Sequence, residues 1–134
     1  MKRGFTIIEL LVVAVIVGAL ASITLLSLSD FRLNRLLDIE SDKIVNLLKA
    51  AQEKSITQED DASWGVHFNN IDSNSPFYAF FSGVAYSGNA VQYVYLRPEI
   101  KFIAPASGVS LDMVFNKLTG HLSDNRKIVL NLPS

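Results

Sequence analysis

From Leu10 to Ser29 the chain carries no charged side chain, and no other stretch so limits what it can fold into. At ~1.5 Å rise per residue this run makes a helix of roughly 30 Å, the thickness of bilayer hydrocarbon. The sequence therefore predicts a membrane-spanning helix over residues 5–29. Lys2 and Arg3 stand just before it, and the positive-inside rule keeps the N-terminus in the cytoplasm and sends the rest of the chain across.

Glu9 is the one carboxylate inside this segment. A charge in a spanning helix costs about 2.5–3.5 kcal/mol on insertion scales, so such groups are as a rule paired and functional. No Lys, Arg or His lies between Phe5 and Ser29 to pair with it. A cut after Gly4 would create a new α-amino group on Phe5, and that amine can neutralise Glu9 of a neighbouring copy when two helices lie side by side.

The run Lys2-Arg3-Gly4-Phe5-Thr6-Ile7-Ile8-Glu9-Leu10-Leu11 resembles the class III signal of type IV pilins and type II secretion pseudopilins. That signal is a basic leader ending in Gly, then Phe, a Glu at the fifth mature position and an apolar run. The resemblance implies cleavage between Gly4 and Phe5 by a prepilin peptidase/methyltransferase, N-methylation of Phe5, and docking of subunits through Phe5 and Glu9 in a helical filament. It also implies residence in the inner membrane before assembly, with the head outside, and then a periplasmic or extracellular fibre. The strong likeness covers only the first thirty or so residues.

Two plainer readings compete. In one, Lys2-Arg3 begins an ordinary secretory signal cut at Ala19-Leu20-Ala21, before Ser22. Glu9 would then burden its hydrophobic region. In the other, the segment is a simple anchor with an accidental Glu9, which leaves the carboxylate unpaired.

With a leader of residues 1–4 and a helix of 5–29 removed, roughly 105 of the 134 residues remain, enough for one core. No cysteine is present to staple it, so packing must hold the head together. Loss of Lys2 and Arg3 leaves ten basic residues against thirteen acidic ones, a net charge of −3. A nucleic-acid surface calls for a basic excess, so nucleic acid is not expected as a partner.

Residues 30–58 contain neither Pro nor Gly. Leu33, Leu37, Ile44, Leu48 and Ala51 recur at helical spacing and make one apolar face, widened by Leu36 and Leu47. Arg32, Arg35, Asp38, Asp42, Lys43, Lys49 and Glu53 fall opposite, as on a half-solvated helix. Gly18, Ser22, Thr24 and Ser27 are small enough to let neighbouring helices approach. The acids Glu59-Asp60-Asp61 oppose the negative end of a helix dipole, and the helix should stop there.

Residues 59–134 change to strand-like alternation. Trp64, Val66 and Phe68 share one face with His67 on the other; Phe77–Tyr86 reads as a second strand, and Ser87-Gly88-Asn89 as a tight connection into Val91–Leu96. Further strands are expected at Ile100–Ile103, Leu111–Phe115 and Lys127–Leu132. The apolar helix stripe must cover one face of this sheet, which predicts an α+β, pilin-like architecture with a helix on a small antiparallel head. The head loosely resembles the family that joins the H-type minor pseudopilins to certain minor pilins, through its aromatic first strand and the Phe115…Gly120 hairpin.

His67 and His121 lie far apart, outside any catalytic or metal spacing, and no phosphate loop, G-x-S-x-G or cysteine nucleophile occurs. A lone strand histidine reads as a surface or capping residue. No enzyme, cofactor, metal or small-molecule substrate is expected. The favoured function is a structural subunit, a pilin or pseudopilin of the minor kind that polymerises through its N-terminal helix. The competing one is a low-copy binding module of such a fibre, whose head contacts DNA, a secreted substrate or a surface; Arg126-Lys127 with Lys117 and His121 is its best basic patch.

Overall fold

The computed structural model describes Gly4 and residues 6–132, apart from the side chains of 23–30. One helix, α1, runs from Ile7 to Thr57. Two compact units divide the chain, residues 1–35 and residues 36–134. α1 contributes to both.

In the first unit α1 opens at Thr6, whose side-chain Oγ1 accepts the backbone N–H of Glu9 at 3.3 Å while its carbonyl accepts that of Leu10 at 3.2 Å. Thr at the N-cap with Glu three residues on is the capping-box pattern, and an acid in the first turn suits the helix dipole. Every residue from Thr6 to Ser22 is exposed. Among the described residues no helix is long and apolar enough to cross a membrane; the side chains of 23–30, among them Thr24, Ser27 and the end of the uncharged run at Ser29, lie outside them.

In the second unit Glu40, Ile44, Ala51 and Ser55 are buried at helical spacing, flanked by half-buried Leu36, Leu37, Leu47 and Leu48. Asp38, Asp42, Lys43, Lys49 and Glu53 are exposed on the other side. α1 ends where Gln58 turns left-handed at φ 56°, followed by a 3₁₀ turn over Glu59–Asp61. Two side chains fasten this corner. The N–H of Trp64 donates to Ser55 Oγ at 2.8 Å, and the indole of Trp64 donates to the Glu59 carbonyl at 3.0 Å.

The head holds six strands: β1 Trp64–Asn70, β2 Phe77–Ser82, β3 Gln92–Tyr95, β4 Lys101–Ala104, β5 Val109–Phe115 and β6 Val129–Asn131. Four form an antiparallel sheet in the order β3-β2-β1-β5, with Val66 opposite Phe80 on one side and Met113 on the other. Period-2 alternation then sends Trp64, Val66, Phe68, Tyr78, Phe80, Leu111, Met113 and Phe115 to one face. These residues join Ile44 and Ala51 of α1 in a single core. The head is thus α+β and pilin-like, as its sequence predicts.

Three expectations change. A single sheet becomes two, because β4 pairs with β6 and brings Ile100 and Phe102 to the core, where the Phe102 ring stands edge-on to Phe68. The strand expected to reach Tyr86 stops at Ser82, since Gly83 adopts φ 128° and its N–H donates to the Ser63 carbonyl at 2.7 Å. The tight turn at Ser87–Asn89 is consequently a long loop over 83–91.

Candidate functional site: the N-terminal segment and the faces of the head

Of the residues expected to act in processing and docking, Phe5 lies outside the described residues; Gly4 precedes the helix and is exposed. Glu9 sits in the first turn of α1 with its backbone N–H tied to Thr6. Its carboxylate has no partner among the described residues. Ile8, Leu10, Leu11 and Val13 follow one another around the helix axis and are all exposed, from 53% to 73%, so this end of α1 is apolar on every side. Ser22 Oγ donates back to the Gly18 carbonyl at 2.7 Å, which spares its hydroxyl an unsatisfied bond in an apolar setting. Beyond the backbone of its own helix turns, a Cβ on Gly18 would meet nothing within 4 Å among the described residues.

Of the residues expected to join helix to head, Ile44 and Ala51 belong to the core and Leu37 and Leu48 pack against it. Leu33 is half-buried and falls in the first unit, outside that core. Glu40 is the residue that spacing did not single out: its side chain is 1% exposed, accepts from Tyr78 Oη at 2.8 Å and pairs with Lys43 at 3.1 Å.

His67 departs from its expected surface position. It is buried on the opposite face of the four-stranded sheet, where its Nδ1 donates to Asp112 Oδ1 at 2.5 Å and its ring stacks on Tyr86 at 4.0 Å. The other Asp112 oxygen accepts the Tyr86 N–H at 3.0 Å, so the pair pins the 83–91 loop to β5. A cavity of about 300 Å³ beside it is shared with Ser110 and Arg126. Ser110 makes no hydrogen bond to His67, and His121 is exposed and does not line this cavity. The arrangement therefore offers a histidine and a carboxylate without an activated nucleophile. Among the described residues no three metal-binding side chains cluster.

Two of the cations proposed as a basic patch are tied to acids. Lys117 Nζ donates to Asp61 Oδ1 at 2.5 Å, and this bond and the lysine's charge hold the Asp61 carboxyl below the usual carboxylate range. Arg126 pairs with Asp124. Arg126 and Lys127 also stand at the rim of an apolar groove of about 600 Å³, whose walls include Leu37, Ile44 and Leu48 of α1, Phe115 of β5 and Leu130 of β6.

A helix laid on a small antiparallel head, led by an apolar segment with one acid in its first turn, defines the pilin-like class. Residues 1–25 match the family model of the prokaryotic N-terminal methylation motif, the signal of type IV pilins and pseudopilins. Neither curated proteins nor solved structures give a match to the chain.

Proposed function

We propose that the chain is a structural subunit of a type IV pilus or a type II secretion-like filament, made as a prepilin and assembled through its N-terminal helix. The methylation signal over residues 1–25 supports processing by a prepilin peptidase, with the cut between Gly4 and Phe5 and methylation of Phe5. Residues 5–29 hold the subunit in the inner membrane, N-terminus in the cytoplasm and head outside, until it enters the fibre.

One observation carries this reading: the signal leads directly into a helix whose apolar side chains are exposed all round, with the carboxylate of Glu9 at its start unpartnered among the described residues. Such a surface is stable only in lipid or among other helices. Both settings belong to a pilin, first the bilayer and then the filament core. In the core, Glu9 meets the α-amino group of Phe5 on a neighbour. Mass spectrometry of the mature protein tests the first step. It should begin at N-methylated Phe5, and a start at Met1 or Ser22 would overturn the reading.

A further inference from the structure

We propose that the apolar groove of the head is a binding site for a single-chain anionic amphiphile, a long-chain carboxylate. This site is independent of the subunit reading above. The groove runs between α1 and the strands that face it, and lies wholly within residues 36–134. Its lining is apolar except for Ser41, Arg126 and Lys127, and the two charged members are both cations. A volume of about 600 Å³ falls within the range of small-ligand pockets.

Charge and dimensions choose the occupant. Arg126 spends only its Nε on Asp124, which leaves the terminal NH₂ groups of the guanidinium free to hold an oxyanion, and Lys127 stands exposed beside it. An alkyl chain is a thread and fits. Its methylenes would cover Leu37, Ile44 and Leu48 while the carboxylate stays at the wet rim, so no charge is buried.

The test uses the full chain in phospholipid nanodiscs and a photoreactive analogue of palmitic acid, with crosslinks mapped by mass spectrometry. Labelling of peptides from 37–48 and 113–130 should saturate and be competed by palmitate, while acetate and hexadecanol compete at least tenfold less well. Val45 lines the groove and is 44% exposed, so Val45→Trp should obstruct the groove without disturbing the core and cut this labelling at least tenfold. The separate variant Arg126→Glu/Lys127→Glu should cut it by a similar factor. Labelling of residues 10–22, which lipid-borne probe also reaches, stays constant across variants and serves as the internal reference. Absence of head labelling, indifference to both variants, equal competition by hexadecanol, or self-association that Val45→Trp abolishes would each overturn the proposal.

Discussion

The phenol of Tyr78 donates to Oε1 of Glu40 at 2.8 Å, and the two side chains, 38 positions apart, are both fully buried between α1 and the four-stranded sheet. A carboxylate so placed survives because its lone pairs are met, by Tyr78 on one oxygen and by Lys43 on the other. Tyr78→Phe removes one of these donors and leaves the shape unchanged. It should lower head stability by about 1.5–3 kcal/mol, the range for hydrogen bonds to charged groups. Urea unfolding followed by fluorescence of Trp64, the sole tryptophan and 3% exposed, measures this. Wild-type stability in Tyr78→Phe would show that the bond contributes nothing.

The same phenol and that of Tyr86 set an alkaline limit. Burial, reinforced by the bond to Glu40 and its charge, raises the pKa of Tyr78 well above the ordinary value of 10. Burial first, then the bond to Tyr93 and the charges of Tyr93, Asp112 and Tyr95, push Tyr86 up to about 12. Above pH 10 the unfolded chain sheds phenolic protons that the folded head still holds, so stability present below pH 10 is lost as pH climbs toward 12. Unfolding midpoints taken from pH 9 to pH 12 should fall more steeply for wild type than for Tyr78→Phe or Tyr86→Phe. Parallel curves would contradict the assignment.

Glu40 and His67 show where the sequence stopped being readable. An acid on a helix reads as solvated, yet Glu40 lies four residues before Ile44, on the very stripe that the apolar spacing defines. Its partner comes from a strand 38 positions away, which periodicity cannot reach. His67 fell on the polar side of an alternating strand, and its partner Asp112 is 45 positions distant. The groove likewise joins residues 37–48 to 113–130. By contrast the methylation signal is contiguous and was legible whole, as was the inward face Trp64-Val66-Phe68. One local signal was there to be used: Thr6 and Glu9 stand at capping-box spacing and Thr6 accepts the Glu9 N–H, so the start of the helix was legible as well.

Gly65 sits at the centre of the sheet, with β2 on one side and β5 on the other. A Cβ there would stand 2.6 Å from the Met113 carbonyl oxygen and 3.1 Å from Val114 Cα, both backbone atoms of the paired strand. Neither can yield without shifting the β1–β5 register. Gly65→Ala should therefore destabilise the head by about 1–3 kcal/mol, the usual cost of overpacking, despite adding a single methyl group. A lowered urea midpoint checks this; an unchanged one would mean that the two strands lie further apart.

The docking role proposed for Glu9 is separable from its place in the first turn, and two substitutions part them. Its place in the first turn contributes about 0.3–1 kcal/mol through the helix dipole, and the Thr6 side chain caps its N–H. Glu9→Gln keeps the capping geometry and removes the charge. Thr6→Ala keeps the charge and costs about 1 kcal/mol at the helix start. If docking depends on the carboxylate meeting the amine of a neighbouring Phe5, Glu9→Gln should insert into the membrane as well as wild type or better and yet yield at least tenfold fewer fibres. Thr6→Ala should assemble at near wild-type yield. Sheared-fibre yield set against membrane-bound subunit, quantified by immunoblot, separates the two cases. Normal fibres from Glu9→Gln would reduce this acid to a favourable first-turn charge, because no other group in the apolar run of α1 carries a charge that an incoming amine could meet.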